Sequence, residues 1–236
     1  MQLFYTNEVF SDNRAVLRDT EWDHCRRVLR YQEGDHVQFV DGSGGLYEGV
    51  LQTAGKKEGV IRVVKKTAHW KQRPYHVHIA IAPTKQMNRM EWMLEKLIEI
   101  GVDRVTFLDC SRSERRVVKL DRLEKIAVSA MKQSLQAKLP GLGQMVPFER
   151  FIQSAPGGTQ KYIAHLDESS TSIEANYICG NDVIILIGPE GDFDEEEIRL
   201  AKEHGFLSVH LGQNRLRTET AGLCACHTIH VINQEI

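Results

Sequence analysis

From residue 75 to the end, short apolar runs alternate with amphipathic ones, and this restricts the fold more than any other property of the chain. "YHVHIAIAP", "RVTFLD", "KYIAHLD", "DVIILIG" and "LSVHL" have the length and β-branched content of strands. Between the first two, "NRMEWMLEKLIEIG" places Met90, Met93, Leu94, Leu97 and Ile98 on one helical face and ends at a capping glycine, Gly101. Residues 119–137, residues 194–204 and the stretch that closes the chain read as further helices. Strands separated in this way pair in parallel, because each helix returns the chain to the same end of the sheet. The run "DVIILIG" is apolar on both faces, as a strand covered on both sides must be. The expected class is α/β, with a mostly parallel sheet.

The first seventy residues follow a different pattern. "HVQFVDG", "GLYEGVL" and "GVIRVVKK" are short strands with glycines between them, at the spacing of a small barrel or sandwich. A helix is expected over residues 21–30, with Thr20 as N-cap and Asp23 completing part of a capping box. "AHWKQRP" is polar and ends in proline, so the expected domains are residues 1–72 and 73–236.

Composition narrows the class. The 236 residues are 42% hydrophobic and 26% charged, as in an ordinary globular protein. There is no apolar run of membrane-spanning length, and the N-terminus lacks the basic-then-apolar pattern of a secretory leader. Five cysteines without a C-x-x-C pair suggest neither a disulfide framework nor a zinc finger, so a cytoplasmic setting without membrane or metal is expected. His76 and His78 share a strand face but lack a third ligand at suitable spacing. Cys224 and Cys226 are two apart on a helix and do not share a face, which favours packing over metal binding. A hydrolase nucleophile elbow, G-x-S-x-G, is missing.

Net charge is only −2, but its distribution is uneven: residues 1–73 carry +2, residues 74–150 carry +4 and residues 151–236 carry −8. The basic excess peaks in "CSRSERRVVKLDRLEK", a distribution that fits a polyanion-facing surface as well as a solvated helix face.

Two stretches carry the chemistry. "VIILIGPEGDFDEEEI" runs from a strand into Gly188-Pro189-Glu190-Gly191 and then into an acidic helix start. "LGQNRLRTETAG" runs from a second strand through glycine and two arginines into the last helix. In parallel sheets ligands bind beyond the carboxyl ends of strands, where glycines let backbone groups approach closely. The stretch is neither a P-loop nor a dinucleotide fingerprint, and its acidic residues would repel phosphate. With a third loop at "AHLDE", these ends suit an adenine-and-ribose ligand without phosphate, such as the sulfonium S-adenosylmethionine.

"KQMNRMEWMLEKLIEIGV", "SERRVVKLDRLEKIAVSAMKQS", "LIGPEGDFDEEEI" and "LGQNRLRTETA" together resemble the 16S ribosomal RNA uracil-N3 methyltransferase family (RsmE-type) of the SPOUT class. "HCRRVLRYQEGDHVQFVDGSG" resembles the PUA-like β-barrel that precedes the catalytic domain in that family. The resemblance covers nearly the whole chain. It implies a C-terminal trefoil knot, an exception to the rule that chains do not thread their own loops. It also implies a homodimer through the knot helices, 16S ribosomal RNA in the small subunit as partner, and S-adenosylmethionine as cofactor.

Carried over by position, the cofactor residues are Leu166, Ile187, Gly188, Glu190, Gly191, Leu211, Gly212, Leu216, Arg217, Thr218, Thr220 and Ala221. Arg217 is the expected cation for a uridinate, and Glu219 the candidate base. RNA contacts are expected from His24, Arg27, Arg30, Lys85, Arg89, Arg112, Arg115 and Arg116. Three positions depart from the family pattern: Asp192 replaces a usual glycine, Arg215 an aliphatic residue and Lys132 a glutamate. Methylation of another base or of a ribose 2′-oxygen, a silent RNA-binding assembly factor, and a phosphoryl or nucleotidyl transferase are the alternatives, the last disfavoured by the acidic helix start.

The charge distribution predicts that RNA affinity falls steeply with added salt through counterion release. Charge reversal at Arg27 and Arg30 weakens RNA binding while leaving cofactor binding unchanged, as filter-binding and calorimetric titrations would report. A salt-independent affinity contradicts the assignment.

Overall fold

The computed structural model describes residues 2–165 and 170–234. The chain divides into two compact units: residues up to Gln72 together with Val128–Leu139, and Arg73–Ala127 together with residues from Pro140 onward.

In the first unit, β1 (Phe4–Tyr5), β2 (Arg14–Arg18), α1 (Asp19–Asp23), β3 (His36–Val40), β4 (Leu46–Ala54) and β5 (Glu58–Thr67) follow in order. The strands form one sheet, β1-β3-β4-β5-β2, in which only β1 and β3 run parallel. Alternate residues such as Val37, Phe39, Leu51 and Ile61 meet Leu17 and Trp22 in the core. Trp22 is wholly enclosed and satisfies its indole N–H on the Gly55 carbonyl at 3.0 Å. Gly59 leaves room for that ring, since a Cβ there would stand 2.3 Å from it.

The helix expected over 21–30 is different in form. It begins at Asp19, directly after β2, with Arg18 at the N-cap position and no side-chain cap. Arg18 is held by Glu8 and Glu58 at the end of its strand pairing, so Thr20 falls inside the helix. Glu21, one residue on, accepts from the Tyr5 amide and pairs with Lys132. From His24 to Val28 the winding is π, and Arg30 stands at φ +59°. Arg27 and Arg30 are therefore not one α-turn apart, although both remain exposed.

The second unit opens with β6 (Val77–Ile81), α2 (Met87–Ile100) and β7 (Arg104–Asp109). Then come α3 (Leu120–Gln133), whose last residues belong to the first unit, β8 (Gly141–Pro147), α4 (Phe148–Ser154) and β9 (Gln160–Ala164). The chain closes with β10 (Thr171–Ser172), α5 (Ile173–Asn176), β11 (Val183–Ile187), α6 (Glu195–Glu203), β12 (Leu207–His210) and α7 (Thr218–Asn233). The sheet order is β10-β12-β9-β11-β6-β7-β8, and every pairing is parallel.

Every residue of β11 is buried, and the strand pairs with β9 on one side and β6 on the other. Gly101 takes φ +115° at the C-terminus of α2, as its position in the sequence predicts. Asp194 and Glu197 close a reciprocal capping box on α6. No helix among the described residues is long and apolar enough to cross a membrane.

His78 and His230 are both held neutral below the ordinary histidine range. His78 hydrogen-bonds Thr106 at 2.9 Å, and burial, with Arg104 nearby, holds it down at about 4. His230, against Tyr75 and Arg73, is held down at about 4 by burial and by the Arg73 charge. In the unfolded chain both titrate at the ordinary histidine value, so their contribution is fully present above about pH 6.5 and is lost as pH falls toward about 4. We predict that stability declines over this window, by about 3 kcal/mol from His78 alone. His78→Gln flattens the slope in urea unfolding between those pH values; an unchanged slope contradicts the assignment.

Candidate active site at three strand ends

Because β12, β9 and β11 are neighbours and parallel, their carboxyl ends lie side by side. A cavity of about 440 Å³ opens there. Its wall takes Ala164 and His165 after β9, residues 187–190 after β11, and most of residues 209–219 after β12. Asp192, Ala221 of α7 and Arg89 of α2 complete it.

The two informative loops are tied to each other. Thr218 donates its hydroxyl to the Gly188 carbonyl at 3.1 Å, in a buried position. Arg215 reaches from the later loop to the Glu190 carbonyl, also at 3.1 Å. The arginine that replaces an aliphatic residue thus braces the loop opposite. Glu190 accepts from the Lys85 amide at 3.1 Å, which joins the loop before α2 to the same structure. Asp192 takes φ +63°, a conformation that aspartate tolerates better than most side chains, and its own carboxylate accepts from the Phe193 amide.

Of the residues expected to hold a cofactor, Ile187, Gly188, Glu190, Leu211, Gly212, Leu216, Arg217, Thr218 and Ala221 line the cavity. Gly191 and Thr220 stand outside its wall. A Cβ on Gly191 would meet the Arg112 side chain at 3.3 Å, so its smallness serves the packing of that arginine. Leu166 lies outside the described residues. The wall also takes His165, Asp192 and His210, each one or two positions from an expected cofactor residue, and Arg89, one of the expected RNA residues.

The expected RNA residues divide by what they already hold. Arg112 donates to the Gly191 and Phe193 carbonyls, and Arg115 to those of Thr84 and Lys85. Both brace the loops around the cavity. Arg116 pairs with Asp109, Lys85 with Glu114, and Arg27 with Asp23, each cation being exposed. His24 lies 3.4 Å from the Gln2 amide and edge-on to Phe4.

Charge in the cavity is mixed. Arg217 is exposed, and among the described residues its guanidinium has no hydrogen-bond or ion-pair partner. The Glu219 side chain is only 8% exposed; its Oε1 lies 3.8 Å from Arg89 Nε. Its Oε2 is buried and has no partner among the described residues. An uncompensated carboxylate oxygen in a cavity wall is costly unless a ligand donates to it. Among the described residues no group of three or more His, Cys, Asp and Glu could hold a metal ion.

The RNA methyltransferase domain family matches residues 71–230, and the RNA methyltransferase PUA domain family matches residues 17–64. The chain is 45% identical to a probable rRNA methyltransferase of Porphyromonas gingivalis, with TM-score 0.93 and 99% of each chain covered. It is 25% identical to the ribosomal RNA small subunit methyltransferase E of Neisseria gonorrhoeae, solved bound to S-adenosyl methionine, with TM-score 0.87 and 98% of each chain covered. It is 30% identical to the ribosomal RNA small subunit methyltransferase E of Mesomycoplasma hyopneumoniae, over 94% of this chain and 96% of that protein.

The clasp between the two loops is directly testable. Thr218→Val keeps the side-chain shape but leaves the Gly188 carbonyl without its buried donor. We predict a loss of about 1–3 kcal/mol in urea unfolding, and unchanged stability contradicts a role for this bond.

Proposed function

The chain belongs to the RNA methyltransferase family, of the type named ribosomal RNA small subunit methyltransferase E, and from that premise we propose that it methylates N3 of a uridine in 16S ribosomal RNA, with S-adenosylmethionine as methyl donor. The observation that carries this reading is the strand-end cavity, in which an exposed guanidinium and a buried carboxylate with an unused oxygen share one wall.

The cavity suits the cofactor. Its volume is within the usual range for small-molecule sites, and its glycine loops offer backbone groups to an uncharged adenosine. Its carboxylates suit a cationic ligand better than a phosphate. Ile187, Gly188, Leu211, Gly212, Leu216, Thr218 and Ala221 would hold it, and Leu166 is proposed with them. When bound, S-adenosylmethionine supplies an electrophilic methyl group.

This chain's residues supply alignment and charge. Methyl transfer is an in-line displacement, so the bracing of the loops by Thr218, Arg215 and Arg112 fixes where nucleophile and methyl carbon meet. Uracil N3 is a poor nucleophile while it holds its proton. Glu219 is proposed to receive that proton, and Arg217 to stabilise the anion that remains.

His24, Arg27 and Arg30 of the first unit, with Lys85 and Arg116 of the second, are proposed to meet RNA phosphates, whereas Arg89, also expected there, lies in the cavity wall beside Glu219. Arg112 and Arg115 would contribute there only through N–H groups their carbonyl partners leave free. The knot in the loop before α7, a homodimer through the knot helices and action on the small ribosomal subunit in the cytoplasm complete the proposal. α7 itself packs closely within its unit: a Cβ at Gly222 would come within 3.2 Å of Ile81 and 3.3 Å of Met93.

Arg217→Ala is predicted to slow single-turnover methyl transfer by about 10²-fold while cofactor affinity changes far less. Arg217→Lys keeps the charge but loses the planar fork, and lies between the two. The wild-type rate rises with pH to a plateau as the bound base loses its proton. A wild-type single-turnover rate in Arg217→Ala at saturating cofactor would remove Arg217 from the mechanism.

A further inference from the structure

Most polar groups around the cavity are already committed. Arg215 is bound to the Glu190 carbonyl, Glu190 to the Lys85 amide, and Asp192 to the Phe193 amide. His165 is bound to Ser208 at 2.9 Å, and the Gly212 amide reaches His210 at 3.4 Å. Among the described wall residues the Arg217 guanidinium is exposed and unpartnered, and Glu219 Oε2 is a buried side-chain oxygen without a partner.

Arg89 shapes that acceptor without using it. Its Nε stands 3.8 Å from Glu219 Oε1, close enough for attraction but beyond a normal hydrogen bond. The other oxygen faces no protein donor among the described residues. The pair therefore sets one carboxylate oxygen beside a guanidinium and leaves the other without a partner.

We infer that the Glu219–Arg89 pair reads the acceptor base: Glu219 Oε2 receives the ring N–H of the base to be methylated, while Arg89 holds the carboxylate in position. The inference rests on the methyltransferase reading above and adds its selectivity. Uracil presents N3–H flanked by carbonyl oxygens, which matches an acceptor and a donor in one wall. Cytosine presents a bare lone pair at N3, which the carboxylate repels. In the reaction the N3 proton passes to Glu219 Oε2 and the freed lone pair forms the bond to the methyl carbon. The carbon–sulfur bond breaks with its electrons left on sulfur, and the carboxylic acid returns its proton to solvent.

Glu219 is then a catalytic residue and Arg89 a positioning residue. To test this, wild-type protein and S-adenosylmethionine are incubated with an unmodified small-subunit ribosomal RNA transcript, and the methylated uridine is located by mass spectrometry. RNA fragments carrying uridine, cytidine or 3-methyluridine at that position are then compared by filter binding in the presence of S-adenosylhomocysteine. Wild type should prefer uridine by roughly tenfold or more. In Glu219→Gln the preference should fall to within about threefold, because an amide can donate to a bare nitrogen. Affinity for S-adenosylmethionine should hold. Arg89→Met should lower the preference in the same direction, and Arg89→Lys should recover part of it. If Glu219→Gln does not fold by circular dichroism, the Arg89 variants carry the test.

Wild-type preference retained in Glu219→Gln, or in Arg89→Met where that variant carries the test, overturns the inference. Loss of S-adenosylmethionine affinity in Glu219→Gln also overturns it, by assigning the free oxygen to the cofactor's ammonium group. A wild-type protein that methylates no uridine overturns the underlying reading and the inference with it. Uridine methylation with unchanged selectivity in the variants overturns the inference alone.

Discussion

The site depends on one constraint, the burial of Val183–Ile187 on both faces between two parallel neighbours. A strand with no polar face fits only in the middle of a covered sheet. With it there, β9 ends beside it and β12 beside β9, all pointing the same way. The three loops that leave those ends share one small space. The loops after β11 and β12 are joined across that space by side chains that donate to backbone carbonyls, and a cavity is left between them.

Two levels of bracing keep that cavity open in one shape. Thr218 and Arg215 join the loops to each other across the wall. Arg112 and Arg115 hold the loops from outside through carbonyl oxygens. The basic stretch that looks in the sequence like an electrostatic surface is thus partly an internal scaffold. Its peptide partners carry no net charge, so the guanidinium charge still contributes to the potential around the cavity.

Much of the second unit is legible in the sequence because period and burial agree there. The strand at "DVIILIG", the cap at Gly101 and the helix from Asp194 are written in residue types whose physics admits few alternatives. β8 is not legible: "GLGQMVP" has no apolar run, and it forms only because β7 offers an edge. The segment around His24 looks α-helical, since a π turn differs from an α turn in hydrogen bonding and carries no distinct residue pattern. Within the site, wall residues follow from the two motifs, whereas the placing of Arg89 beside Glu219 does not. Those residues are 130 apart and meet only because α2 packs against α7.

The central claim is that the cavity serves methylation of a base nitrogen in small-subunit ribosomal RNA. Its most direct measurement is nucleoside mass spectrometry of that RNA from cells lacking the protein and from the same cells with it restored. The account predicts a single 3-methyluridine that disappears and returns with the protein. A 2′-O-methylated nucleoside in its place, or no difference between the two RNAs, would contradict it.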